Sequence, residues 1–140
     1  MSEVVKLHFD VDGEDFTSAG QASVQVKKIL RQLGINPEII RKVSIAMYEG
    51  EINMVIHAGG GYADILIYED RIEIHLVDHG PGIANVEMAM REGWSTAPDN
   101  IRSLGFGAGM GLPNMKRYTD DMKIDSALGE GTRITMRINL

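Results

Sequence analysis

Between Gly105 and Gly111 every second residue is glycine, with Phe106, Ala108 and Met110 in between. Glycine at that density places backbone where a Cβ is not tolerated, in left-handed conformations or against a close neighbour. Leu112, Met115 and Tyr118 follow at helical spacing, so the run leads into a helix. A helix start offers free N–H groups and the positive end of a dipole, which together suit a phosphate. The run is neither Gly-x-Gly-x-x-Gly nor a P-loop, because no Gly-Lys-Ser/Thr closes it. The chain must therefore fold so that a stretch without period, Gly93 to Phe106, delivers a glycine-rich segment to a helix beside a ligand.

The flanking sequence shows what surrounds that helix. Val5, Leu7, Phe9 and Val11 alternate with Lys6, His8 and Asp10, the period of a half-buried strand. From Asp15 to Leu33 the apolar residues Ala22, Val26, Ile29, Leu30 and Leu33 take helical spacing, and Gly34 ends the helix. Asn36-Pro37 opens a second helix, with Asn as cap and Pro at the first position. It is predicted to run to about Ala58, with Ile39, Val43, Met47, Gly50, Met54 and His57 in one stripe. Tyr62 to Tyr68 and Arg71 to Val77 read as a hairpin, and Val86 to Glu92 as a short helix. A helix from Met110 to Thr119, a strand over Lys123 to Ser126 and a last strand through Ile134, Met136 and Ile138 complete the chain. This order predicts an α+β two-layer sandwich in one domain spanning residues 1–140: a mostly antiparallel sheet covered on one face by helices.

Composition excludes several functions. A net charge of −6 argues against non-specific nucleic-acid binding, which needs clustered Lys and Arg. With no cysteine there is no disulfide, thiolate metal site or cysteine nucleophile. No apolar run approaches the roughly 18 residues of a membrane span, and no signal peptide opens the chain, so the expected compartment is the cytoplasm.

Four segments carry candidate chemistry. Glu49 and Asn53, four apart on the second helix, share one face, where a carboxylate and an amide suit a hard cation or a nucleophile. Taken alone, the pair equally fits a solvated polar face. Asp78 ends a strand just before His79-Gly80-Pro81-Gly82. Its acceptor-only carboxylate suits an exocyclic amine such as adenine N6, and a plain turn is the alternative. The glycine run supplies the third segment. Gly129-Glu130-Gly131-Thr132 is the fourth, either a hairpin turn or the flank of a purine. The four histidines have no metal-site spacing.

Taken in order, Glu49-x-x-x-Asn53, Asp78-x-Gly80-x-Gly82, Gly107-x-Gly109-x-Gly111 and Gly129-x-Gly131-Thr132 resemble the four ATP-binding boxes of the GHKL (Bergerat-fold) superfamily. The resemblance covers Ile35 to Leu140. The short length looks like the anti-sigma-factor serine/threonine kinases, and Gly109 to Arg117 with Asp120 is similar to their switch-kinase branch. It implies ATP and Mg²⁺ as cofactors. Glu49 would be the general base toward a protein serine hydroxyl, and Asn53 the Mg²⁺ ligand. Asp78 would hold adenine N6, with Gly80, Gly82 and Thr132 near the ring. Gly107, Ala108, Gly109, Met110, Gly111 and Leu112 would line the phosphates, and Gly93 to Phe106 would be the ATP lid. Glu51 departs from the family pattern, as a second carboxylate able to compete as a ligand. The implied substrate is a small antagonist protein, with a sigma factor or phosphatase as second partner and a homodimer as the assembly. The alternative function is a non-enzymatic module in which ATP or ADP gates partner binding.

Overall fold

The computed structural model describes residues 4–12, 20–82 and 111–140. Their elements run β1 (Val5–Asp12), α1 (Gln21–Gln32), α2 (Pro37–Ala58), β2 (Gly60–Ile67), β3 (Arg71–Asp78), α3 (Gly111–Arg117), β4 (Asp121–Ala127) and β5 (Gly131–Asn139). The five described strands form one sheet in the order β1-β2-β3-β5-β4, and every pairing is antiparallel. The expected α+β sandwich is therefore present, with a sheet that is wholly rather than mostly antiparallel. The expected helix at 86–92, the irregular segment 93–106, and residues Gly107, Ala108, Gly109 and Met110 lie outside the described residues.

Alternation decides which sheet face meets the helices. Ile72, Ile74 and Leu76 of β3 are buried, as are Ala63, Ile65 and Ile67 of β2 and Ile134, Met136 and Ile138 of β5. The intervening Glu73, His75, Thr135 and Arg137 stay half-buried or exposed, as expected for a sheet with one wet face. Val26 and Leu30 of α1, Val43 and Met47 of α2, and Leu112 and Met115 of α3 close the core from above. Of the stripe read from sequence, Val43, Met47, Gly50 and Met54 are buried and Ile39 is half-buried.

The helix boundaries follow from their end residues. Asn36 accepts the Glu38 N–H at 2.9 Å through its side chain, with Pro37 at the first helical position. Gly59 ends α2 at φ 72° and returns its N–H to the Met54 carbonyl. Asn36→Ala is expected to cost about 1 kcal/mol of stability. A urea midpoint equal to wild type would show that this cap does not hold α2.

Gly50 sets how closely α2 lies on the sheet. A Cβ there would fall 2.2 Å from Cδ1 of Leu76, so only glycine lets the helix come this near to β3. The chain turns directly from α2 into β2, and β3 runs antiparallel to β2. So α2 and β3 point the same way. With Gly50 over Leu76, Asn53 lies about one turn further toward the Asp78 end of the strand.

Candidate functional site

Asp78 continues the apolar row of Ile72, Ile74 and Leu76 on the helix-facing side, but as a carboxylate at the strand's end. It is 9% exposed. Its Oδ1 accepts the N–H of Gly80 at 3.0 Å and of Thr132 at 3.2 Å. Oδ2 has no hydrogen-bond partner among the described residues. Among the described residues no buried side-chain oxygen lacks a partner, so Oδ2 keeps access to solvent and is open to a ligand donor.

The backbone around Asp78 is drawn tight by the β4–β5 turn. Thr132 is its cross-strand partner, and the Gly129 N–H donates to the Pro81 carbonyl at 2.9 Å. A Cβ on Gly131, at φ 119°, would lie 2.2 Å from the Asp78 carbonyl oxygen. One on Gly82, at φ 79°, would lie 2.4 Å from the Ala127 carbonyl oxygen. Both glycines thus serve a close backbone approach, in conformations that side chains avoid. Thr132 is buried, and its hydroxyl pairs with that of Ser126 at 2.8 Å. Asp78, Gly80, Gly82, Gly131 and Thr132, scattered over more than fifty positions, meet here.

Glu49 and Asn53, both half-buried, stand one turn apart on α2. Glu49 faces the first residue of α3, since a Cβ on Gly111 would lie 3.7 Å from its Oε2. Asn114 donates from Nδ2 to Glu49 Oε1 at 3.4 Å. Sequence reasoning missed Asn114. The available signal was its polar side chain between Leu112 and Met115, which turn inward. Leu112 itself is a core residue at 6% exposure, so only its backbone is offered to a ligand. Lys116 and Arg117 are exposed.

Glu51 is not a competing ligand. It points to the far side of α2, is 2% exposed, and accepts the N–H of Gly20 and of Ser23 at 2.6 Å each. It thereby caps α1, whose own N-cap residue is Gly20 and supplies no side-chain cap. Burial pushes its carboxyl above the usual range, and the amides of Ser23, Gly20 and Ala22 pull against that. The expectation read from sequence fails because alternate residues of a helix lie on different sides.

Among the described residues no three His, Asp, Glu or Cys side chains gather as a metal site. Glu49 and Asn53 nevertheless suit Mg²⁺, which takes one or two protein oxygens and leaves the rest to water and phosphate. No described helix is long and apolar enough to cross a membrane.

Comparison with known proteins shows what the chain is similar to. The family model of the histidine kinase-like ATPase domain matches residues 14–138. The anti-sigma F factor of Clostridium acetobutylicum is 35% identical over 121 residues, spanning 83% of this chain and 81% of that one. The serine/threonine-protein kinase RsbT of Bacillus subtilis is 31% identical over 112 residues, spanning 77% and 78%. A Mycobacterium tuberculosis crystal structure of RsbU and RsbW domains superposes with a TM-score of 0.66 at 16% identity. That match covers 96% of this chain but only 32% of the other, and it speaks for the fold.

Proposed function

Because this chain belongs to the histidine kinase-like ATPase domain family, we propose that it is an ATP-dependent serine/threonine protein kinase of a partner-switching system. It transfers the γ-phosphate to a hydroxyl of a small antagonist protein in the cytoplasm. Its own second partner is a sigma factor or phosphatase. One pairing of groups supports the reading: Asp78, a buried carboxylate whose Oδ2 has no partner among the described residues, ends β3. On α2, beside the start of α3, stands the half-buried carboxylate Glu49.

Each group has a defined task. Asp78 Oδ2 accepts the adenine amine, while Gly80, Gly82 and Thr132 border the ring. Asn53 would hold Mg²⁺, which would supply neutralising charge to the phosphate oxygens. Gly111, with Gly107 and Gly109 before it, receives the phosphates through backbone N–H groups. Glu49 takes the proton of the acceptor hydroxyl as its oxygen bonds to the γ-phosphorus and the bond from that phosphorus to ADP breaks. Phosphoryl transfer asks little covalent work of the protein, so positioning and charge neutralisation carry the rate. With Glu51 turned into α1, Glu49 is the carboxylate left to act as base, which favours transfer over a purely nucleotide-gated binding role.

The test has two stages. Calorimetry with ATP, with and without Mg²⁺, is expected to show binding that Mg²⁺ strengthens. Pull-down with ATP, ADP or no nucleotide, followed by mass spectrometry, is expected to return a small protein bearing phosphoserine or phosphothreonine only with ATP. No heat with ATP or ADP would overturn the site, and binding without any phosphorylated partner would overturn the transferase.

A further inference from the structure

Glu51 has no task in the scheme above, yet it makes the shortest hydrogen bonds around α2. Its Oε2 accepts the Gly20 N–H and its Oε1 the Ser23 N–H, each at 2.6 Å. The Ser23 hydroxyl closes the same turn by donating to the Gly20 carbonyl at 2.7 Å. A carboxylate at a helix start is favoured by both the free amides and the dipole. Here the cap comes from another helix.

At this turn α2 meets three neighbours through three consecutive residues. Glu49 meets Gly111 and Asn114 of α3, Gly50 rests on Leu76 of β3, and Glu51 grips α1. Successive residues step about 100° around the axis, so the contacts spread over about 200°. Gly50 has no side chain, so its contact sets the height of α2 above the sheet and leaves its roll about the axis open. The Glu49–Asn114 contact, at 3.4 Å, is longer than an ordinary hydrogen bond and restrains roll weakly. To the apolar packing of Val43, Met47 and Met54, two short, directional bonds from Glu51 add the restraint that the other two contacts lack. A side-chain end about 6 Å from the axis moves about 1 Å for 10° of roll. A misplacement of that size costs a reaction about 100-fold.

We propose that Glu51 is a positioning residue: by capping α1 from α2 it fixes the roll of α2 and so aims Glu49 and Asn53 at the bound nucleotide. The effect on rate rests on the kinase reading above. The effect on the aim of Asn53 does not.

The experiment compares wild type, Glu51→Gln and Ile138→Val, the last a core variant that loses stability without touching α1 or α2's polar groups. Glu51→Gln keeps the size but turns an NH₂ donor toward one of the two amides. It is expected to transfer phosphate about 10- to 100-fold more slowly per nucleotide-occupied site, with KM for ATP within about threefold. In NMR spectra of the nucleotide-free protein, the Asn53 side-chain amide signal is expected to move in Glu51→Gln and to stay in place in Ile138→Val. A wild-type rate per occupied site, or an unmoved Asn53 signal, overturns the inference. If wild type itself phosphorylates no partner, the kinase reading falls and the Asn53 signal alone decides the role of Glu51. Should Glu51→Gln not fold, Glu51→Asp keeps the charge and reaches one amide. It is expected to show smaller changes of the same sign in both measurements, and no change in either one overturns the inference.

Discussion

Glu49→Gln is expected to bind ATP as tightly as wild type, within about threefold, and to transfer phosphate about 10²- to 10⁴-fold more slowly. The substitution keeps the side chain's length and one acceptor oxygen, so Asn114 Nδ2 still has a partner. It removes the basic oxygen while leaving Asp78, Thr132 and the surrounding glycines untouched. Positioning and charge neutralisation remain, which is why activity falls rather than vanishes. Single-turnover transfer at saturating ATP, with affinity measured separately by calorimetry, separates the two effects. Transfer at the wild-type rate would remove Glu49 as the base. Equal loss of affinity and rate would place its contribution in binding.

The second large effect is expected at Asp78. Both backbone N–H groups that hold Asp78 fall on Oδ1. In Asp78→Asn the amide oxygen must stay on those donors, so the new NH₂ takes the place of Oδ2. Two donors, this NH₂ and adenine N6, then face one another. Losing a hydrogen bond to a charged group costs about 1.5–3 kcal/mol, and a donor left unpaired adds to that. ATP affinity is expected to fall about 10²- to 10³-fold, while the nucleotide-free protein keeps its thermal midpoint to within a few degrees. The same geometry predicts a change in base preference. Guanine presents an acceptor oxygen where adenine presents an amine. Wild type is expected to favour ATP over GTP strongly, and Asp78→Asn to lose or reverse that preference. Calorimetric titration of both proteins with both nucleotides checks it. Undiminished ATP binding by Asp78→Asn would mean that Oδ2 does not meet the base.

Much of this site is legible in the chain because each part obeys a local rule. Ile72, Ile74, Leu76 and Asp78 share one face by strand period alone, so the residues themselves show a carboxylate at the end of an apolar row. Glu49 and Asn53 share a helix face for the same kind of reason. Asn36-Pro37 and Gly59 mark both ends of α2. Glu51 is where local reading stops. The helix period turns Glu51 about 200° from Glu49, off the face that Glu49 and Asn53 share, but no period shows what it meets there. That depends on where α1 packs, a matter of residues about thirty positions upstream. Asn114 is hidden similarly, since its partner Glu49 stands 65 residues away.

The sequence by itself determined the elements, the inward face of each strand, and the order of four segments with nucleotide chemistry. Those are set by side-chain period and by glycine, proline and asparagine at element ends, which act over a few residues. Only the tertiary structure decided which groups meet. The pairing of Asp78 with Thr132 is a sheet register, and the meeting of Glu49 with α3 and of Glu51 with α1 is the roll of a helix between two others. Register and roll are fixed by long-range packing and buried hydrogen bonds, and no short stretch of chain encodes either one.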